Sequence, residues 1–431
     1  MHATLSSMFS CLGRSVTAVA LLAITSFALC ERVGRQIELN NNGHRLHLTL
    51  YAPKGERHSS SPTVVFESGL GGGERNWRAV IEQLPPSVPA VTYGRPGMDG
   101  SEPDGVAPSP EHIATILHAA LGQIASPPYV LVGHSWGGPL IRAFAGIFPG
   151  EIAGLVFVDP TDFNETATGR KRYVFAPLGH ADDGEVIHTA IEEYYSKQAG
   201  QFDPPVQAEI DASREGRHSD FASLKALPMP QVPIVLVATT HYPVLNDARL
   251  PVPFDQQEYQ ALLVSYRLLS LSTFARSVPE GTLVTTSNSG HYIQLDEPPL
   301  VSWAIDRVLH PSVERRLTSA FESGGLASMR RELSLIESTY PVSATDESTM
   351  SHLGDNLMRA GKQVEAVSLL TLNQKAHPSS SMAAADLADA ELANGDKASA
   401  LENYRLAIRF DGSNSHAHEQ VNALSKKQNR H

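Results

Sequence analysis

The sequence predicts an α/β fold, with a mostly parallel sheet covered by helices, followed by a region built only of helices. From residue 35 to about 310, short apolar runs rich in β-branched residues alternate with amphipathic segments, as expected for buried parallel strands connected by helices. Beyond about residue 312 the pattern is helical only, and similar residues recur at a fixed period. A chain of 431 residues is long enough for two such units.

Composition excludes several classes of protein. The chain carries 34 basic and 46 acidic residues, and its formal charge of −12 repels phosphate backbones and anionic membranes. We therefore expect no nucleic-acid partner. The two cysteines, Cys11 and Cys30, both precede the predicted folded domains, so we expect no disulfide, metal or redox motif within those domains and no metal or other cofactor.

The N-terminus predicts export. Residues 16–30 form an apolar run that follows an arginine and is too short to span a bilayer comfortably, which is typical of a secretory signal. Small residues allow cleavage after Ala28. Cys30 allows a lipoprotein interpretation, although Leu29 is bulkier than the residue such a site normally has. We assign residues 1–30 to a signal peptide or N-terminal anchor and expect a periplasmic, secreted or membrane-anchored protein.

The first predicted strands form a hairpin. Apolar and polar residues alternate from Ile37 to Tyr51 on both sides of an Asn-Asn-Gly turn at 41–43. The later strands are short apolar runs at 63–66, 90–93, 129–132, 154–158, 234–238 and 282–286.

The segments between these strands differ in character. Amphipathic stretches that predict helices lie near 74–84, 111–125 and 138–148. Residues 161–232 are polar, contain a helical piece at 184–198, and interrupt the alternation after the sixth strand. We interpret them as a lid inserted at the carboxyl edge of the sheet, where it would control substrate access.

The strongest chemical signal is the G-x-S-x-G motif of residues 133–137, Gly-His-Ser-Trp-Gly. A buried strand precedes it and a helix follows it, as a nucleophile elbow requires. The two glycines are required for steric reasons, because side chains at these positions would collide with the neighbouring strand and helix. Ser135 is therefore the candidate nucleophile.

Four landmarks in order resemble those of the α/β-hydrolase superfamily over roughly residues 35–310. Glu-Ser-Gly-Leu-Gly-Gly at 67–72 stands where that family has its oxyanion loop, and Tyr-Gly-Arg-Pro-Gly at 93–97 is similar to its D-R-P-G turn. The elbow and then Ser-Gly-His at 289–291 complete the order. Two positions depart from the family pattern: Glu-Ser replaces a common histidine before the first glycine, and Gly94 replaces the usual aspartate. Neither position performs chemistry in the family.

Ester hydrolysis defines the roles that these residues would take. A serine hydroxyl needs an imidazole to remove its proton, and His291 stands after the last strand, as the order Ser, acid, His requires. The resemblance implies that the backbone N–H groups of Leu70 and Trp136 form the oxyanion hole.

The acid that orients His291 must follow a strand near the histidine loop. Asp159 ends the sixth strand, which is where some family members carry this residue. Most members carry it after the seventh strand, where the first carboxylate of this chain is Asp247. We favour Asp159 as the acid and keep Asp247 as the alternative. If Asp159 is not catalytic, we expect it to cap a helix or stabilise a turn.

The helical region shows an internal repeat at an offset of 34 residues, seen for example in Gly361 and Gly395. This period resembles tetratricopeptide repeats, in which each unit is a pair of helices. A degenerate earlier unit is expected at 311–341, and the array would offer a surface to a protein partner. We assign the α/β-hydrolase domain to 31–312 and the repeats to 313–431.

Together these observations predict a serine esterase, lipase-like in type, that acts on a small-molecule or lipidic acyl substrate. The alternative is a catalytically silent hydrolase scaffold that binds a partner through its helical repeats. We also expect residues 313–431 to be separable from catalysis, unless the first helices after His310 pack on the hydrolase domain.

Overall fold

The computed structural model describes residues 32–53, 62–198, 202–242, 247, 249–250, 252–278, 280–339 and 346–428. The predicted signal segment and both cysteines lie outside these residues.

Eight strands form a single sheet. Their bounds are β1 (Arg35–Asn41), β2 (His44–Tyr51), β3 (Thr63–Glu67), β4 (Ala90–Tyr93), β5 (Tyr129–His134), β6 (Ile152–Val158), β7 (Ile234–Thr239) and β8 (Gly281–Thr286). Each strand overlaps a run that the sequence predicted, because β-branched residues and alternation are local signals of buried strands.

The strand order is β1-β2-β4-β3-β5-β6-β7-β8. The hairpin β1–β2 is antiparallel and joins β4 in antiparallel register, whereas strands β3 to β8 pair in parallel. The predicted mostly parallel sheet is therefore confirmed. The loops that follow β3, β5, β6, β7 and β8 all leave the same edge of the sheet, since the carboxyl ends of parallel strands meet there.

Helices cover the sheet, form the insertion after β6 and build the C-terminal region. They are α1 (Arg78–Ile81), α2 (Pro110–Ile124), α3 (Gly137–Ile147), α4 (Ala167–Arg170), α5 (Gly184–Gln198), α6 (Pro204–His218), α7 (Ala222–Ala226), α8 (Gln256–Arg276), α9 (Ile293–Asp296), α10 (Pro298–Leu309), α11 (Val313–Thr339), α12 (Glu347–Arg359), α13 (Gln363–Ala376), α14 (Ser381–Ala393), α15 (Lys397–Phe410) and α16 (Ser415–Gln428).

The central strands β3 to β7 are buried on both faces of the sheet. Alternate residues of one strand point to opposite sides, so Val64 packs with α1 and α10 while Val65 packs with α2, α3 and α8. These central strands are mostly apolar runs because neither of their faces meets water, whereas the hairpin β1–β2 alternates because part of it is exposed.

The predicted lid region contains helices α4 to α7, between the end of β6 and the start of β7. Its first part packs on α8, where Phe175 and Ile191 join Tyr259 and Tyr266 in a separate buried cluster. The insertion is therefore anchored by its own apolar contacts.

The C-terminal helices repeat their local geometry. Helices α12 and α14 begin 34 residues apart, as do α13 and α15. Asp346 and Ser380 cap α12 and α14 through side-chain acceptors, worth about 1 kcal/mol each. Gly361 and Gly395 end the first helix of each pair with φ of 74° and 89°, which a residue with a Cβ adopts only under strain. The resemblance to tetratricopeptide repeats stays a prediction.

The apolar core continues from the helices that cover the sheet into the C-terminal helices. Val308 of α10, Leu317 and Phe321 of α11 and Leu353 of α12 belong to the same buried cluster as the strand residues. The described residues from Arg32 to Gln428 accordingly form one compact unit. These contacts favour packing of the first C-terminal helices on the helices that cover the sheet, and the boundary at 312 stays a prediction. Within the described residues, no helix has both the length and the apolar character needed to cross a membrane.

Candidate active site

Ser135 lies on a sharp turn between β5 and α3. Its φ of 51° is in the left-handed region, which strains a residue that carries a Cβ. The turn requires the flanking glycines, because a Cβ on Gly133 would lie 2.5 Å from the carbonyl oxygen of Gly137. A Cβ on Gly137 would collide with the carbonyl oxygen of Glu67. This strained turn between strand and helix is the geometry of a nucleophile elbow.

His291 and Asp159 form a hydrogen-bonded pair at the same edge of the sheet. The Nδ1 atom of His291, in the loop between β8 and α9, lies 2.6 Å from Oδ2 of Asp159. Asp159 follows β6 directly, is completely buried, and has a φ of 40°. The imidazole itself is partly exposed. Because the Nδ1–H donates to the carboxylate, Nε2 is left as the basic nitrogen of the ring.

Three further donors surround the Asp159 carboxylate. Oδ1 accepts from the backbone N–H of Thr239 at 3.2 Å and from the guanidinium of Arg267 at 3.0 Å. The Tyr242 hydroxyl lies 3.3 Å from both oxygens. Burial alone would raise the pKa of Asp159, but the His291 hydrogen bond and the Arg267 charge outweigh it and hold the pKa below its usual range. The carboxylate therefore stays ionised beside the imidazole.

Sequence reasoning missed Arg267 and Tyr242. Arg267 stands in the middle of α8, and Tyr242 lies in the loop after β7. The one available signal is an arginine between apolar residues of a long helix, since a buried cation requires a partner. That signal does not identify which carboxylate is the partner.

Asp247, the alternative acid, has different partners. Its carboxylate accepts from the Tyr194 hydroxyl at 2.8 Å and from Nε of Arg249 at 3.0 Å. The hydrogen bonds from Arg249 and Tyr194 lower its pKa. The structure thus brings Asp159, and not Asp247, to His291.

The loop that carries Leu70 runs directly beside the elbow. A Cβ built on Gly69 would lie 3.1 Å from Cβ of Ser135 and 2.9 Å from Nδ1 of His134. Only glycine allows this close approach. Trp136 follows the serine at the start of α3 with its side chain buried, whereas the Leu70 side chain is partly exposed. Both backbone N–H groups thus belong to segments that flank Ser135, and their role in binding an oxyanion stays a prediction.

The two departures from the family pattern have structural explanations. Glu67 is buried and pairs with Arg95, whose Nη1 lies 2.7 Å from its carboxylate. The Ser68 hydroxyl donates to the carbonyl of Gly73 and accepts from the Trp77 indole, both at 3.0 Å. These hydrogen bonds and this ion pair stabilise the conformation of the loop that begins at Glu67.

The second departure, Gly94, lies in a tight turn. A Cβ at this position would lie 2.5 Å from the Met98 carbonyl, so the turn has no room for an aspartate.

His134, the variable residue of the motif, is a buried histidine that the sequence did not single out. Its Nε2 lies 2.9 Å from the carbonyl oxygen of His291. Burial, and the nearby imidazole of His291, lower the pKa of His134 to about 4. The ring is therefore neutral at neutral pH, and its Nε2–H donates to the histidine loop, which fixes that loop beside the elbow.

Comparison with known proteins agrees with this architecture. Residues 64–302 match the family described as the Alpha/beta hydrolase family, and the chain belongs to that family. The chain is 26% identical over 250 residues to the uncharacterized protein YqjL of Bacillus subtilis, a match that covers 57% of this chain and 83% of that protein. It is 28% identical over 106 residues to the Abhydrolase domain-containing protein abhd-5.2 of Caenorhabditis elegans, covering 24% of each chain. The chain thus spans about a quarter of the length of that second relative.

A solved structure of a thermophilic esterase from Thermogutta terrifontis is similar with 18% identity and a TM-score of 0.37, covering 64% of this chain and 98% of that one. A likeness at this level says nothing about activity.

Proposed function

We propose that the protein is a serine hydrolase that cleaves a carboxylic ester or a related acyl bond through an acyl-serine intermediate. The observation that carries the proposal is the 2.6 Å pair of His291 and buried Asp159, at the sheet edge where Ser135 occupies a strained elbow. A buried, ionised carboxylate on Nδ1 orients the imidazole and stabilises its cationic form, which is what a general base requires. Ser135 would be the nucleophile, His291 the general base and Asp159 the orienting acid.

In the acylation step, Nε2 of His291 takes the proton of the Ser135 hydroxyl while the oxygen attacks the carbonyl carbon. The carbonyl π electrons move to the oxygen, and the N–H groups of Leu70 and Trp136 would stabilise this oxyanion by about 3 kcal/mol each. The intermediate then collapses, the bond to the leaving group breaks, and the leaving group takes the proton from His291.

Deacylation repeats the sequence with water as nucleophile. Nε2 of His291 removes a proton from water, the hydroxide attacks the acyl carbon, and the same N–H groups would hold the new oxyanion. Collapse returns the proton to Ser135 and releases the acid. In both steps Asp159 stabilises the imidazolium without taking its proton.

The lid and the overall charge support a proposal for the substrate class. The insertion at 161–232 lies between β6 and β7, and such insertions define the shape of the acyl site in this fold. We propose a neutral small-molecule or lipidic acyl compound, because the formal charge of −12 disfavours polyanions. A screen of acyl esters of graded chain length would define the preferred length.

The deciding experiment is labelling with a fluorophosphonate probe. We expect the full chain to be labelled and Ser135→Ala to be unlabelled, while Ser323→Ala, which changes an exposed serine of α11, labels at the wild-type rate. Labelling that persists in Ser135→Ala would assign the nucleophile elsewhere. A folded wild-type chain that does not react would favour the alternative, a silent scaffold that binds a partner through its helices.

We also propose that the protein is exported and that its C-terminal helices bind a protein partner. The apolar run at 16–30 supports export, and N-terminal sequencing of the mature chain from its native host would test cleavage after Ala28. A mature chain that begins at Met1 would contradict cleavage and leave the N-terminal anchor as the interpretation.

A further inference from the structure

A buried ionic cluster connects the lid to the loop beside the nucleophile. Arg95 follows β4, Glu67 ends β3, and Glu209 belongs to lid helix α6. All three side chains are almost completely buried. Replacing buried ion pairs with apolar residues is often neutral or stabilising, so stability by itself does not explain a cluster of two carboxylates around one guanidinium.

Every N–H group of the Arg95 guanidinium is used. Nε and Nη2 bind the carboxylate of Glu209, with Nη2 to Oε2 at 2.9 Å. Nη1 donates to Glu67 and to the Ser68 carbonyl, both at 2.7 Å, and Nη2 donates to the Gly69 carbonyl at 2.7 Å. Five donors are the full capacity of an arginine, so the guanidinium is fixed in orientation.

Glu209 also contacts the loop directly. Its Oε2 accepts from the backbone N–H of Gly71 at 3.0 Å. The packing is close, because a Cβ on Gly71 would lie 3.1 Å from Val206 of the same lid helix. The Glu209 carboxylate therefore contacts the loop in two ways: it accepts a hydrogen bond from the Gly71 N–H, and it binds Arg95, which in turn binds the loop carbonyls.

These hydrogen bonds fix the two peptide groups on either side of Leu70. Arg95 holds the carbonyl of the Gly69–Leu70 peptide, and Glu209 holds the N–H of the Leu70–Gly71 peptide. A trans peptide is planar, and its C=O and N–H point in opposite directions. A Gly69 carbonyl fixed toward Arg95 therefore fixes the Leu70 N–H to point away from the guanidinium.

We propose that Glu209 is a positioning residue that orients the Leu70 N–H for the oxyanion, so that hydrolysis requires helix α6 to be docked. This inference rests on the proposed function. A lid that lifts away from the loop removes the bidentate partner of Arg95 and the acceptor of Gly71 together. The Leu70–Gly71 peptide then has no acceptor for its N–H, and the Gly69 carbonyl is held by an arginine that only Glu67 still pairs.

The test compares Glu209→Ala and Glu209→Gln with Asp211→Asn, an exposed carboxylate on the same helix. We expect Glu209→Ala to lower kcat about 10²-fold with KM changed less than about threefold, because misplacing one oxyanion donor affects the transition state and not ground-state binding. Glu209→Gln keeps one acceptor oxygen and should lose about tenfold. Asp211→Asn should stay within about twofold of the wild type.

Hydrogen–deuterium exchange of the segment 67–74 gives a readout that does not depend on activity. We expect exchange to be at least about tenfold faster in Glu209→Ala and unchanged in Asp211→Asn. Unchanged exchange, or a loss of activity that lies entirely in KM, overturns the inference. If the wild type fails to react with a fluorophosphonate, the proposed function fails, and the exchange result alone then decides whether Glu209 orders the loop.

Discussion

Replacing Asp159 with asparagine changes the hydrogen-bonding character of one buried side chain without changing its size. The aspartate accepts from His291 on Oδ2 and from Thr239 and Arg267 on Oδ1. An asparagine has one oxygen and one NH₂ group, so it can accept either from His291 or from Thr239 and Arg267, but not from both sides.

The better orientation of the amide places its oxygen toward Thr239 and Arg267. The opposite orientation would leave two buried donors facing an NH₂ group, at about 1–3 kcal/mol each. In the better orientation the NH₂ group points at Nδ1 of His291, which must then be the unprotonated nitrogen. The proton moves to Nε2, and the ring cannot accept the proton of Ser135. We expect kcat to fall about 10⁴-fold, equivalent to about 5 kcal/mol of barrier.

The assay is the steady-state hydrolysis of a small soluble ester at pH 8, for the wild type, Asp159→Asn and Asp247→Asn. Asp247→Asn is the matched control, because its carboxylate contacts Tyr194 and Arg249. We expect it to retain kcat within about twofold. A folded Asp159→Asn variant that stays within tenfold of wild type, or an Asp247→Asn variant that loses more, refutes the assignment of Asp159.

Two further predictions concern the surroundings of the site and the C-terminal helices. Arg267→Met removes the cation that helps to lower the pKa of Asp159, so the pKa of that carboxyl rises. The acid limb of the kcat/KM profile should move to higher pH, because the proposed reaction requires ionised Asp159, and it should stay in place in Arg249→Met. A chain that ends at Pro311 lacks Leu317 and Phe321 and therefore exposes apolar residues of the same cluster, such as Val308 of α10, so we expect its calorimetric Tm to fall by more than about 5 °C. An unchanged Tm would show that residues 313–431 are separable after all.

Much of this protein is determined by local sequence. The strand positions follow from short β-branched runs, and the elbow follows from glycines that leave room for a strained serine at 135. The offset between Gly361 and Gly395 located the equivalent helix ends, because a positive φ at a helix end is a local requirement that glycine meets at low cost. These signals extend over only a few residues, so they can be read without knowing the fold.

Tertiary structure alone decided which carboxylate meets His291 and what surrounds the loop at 67–72. Asp159 and His291 are 132 positions apart, and Arg95 and Glu209 are 114 positions apart. Asp159 and Asp247 both follow strands of the same sheet, so their sequence positions leave both open. The choice depends on the path of each loop beyond its strand and on donors such as Arg267 that arrive from distant helices. Periodicity and spacing carry no information about such contacts, because they record which face a residue occupies and not which side chain it meets there.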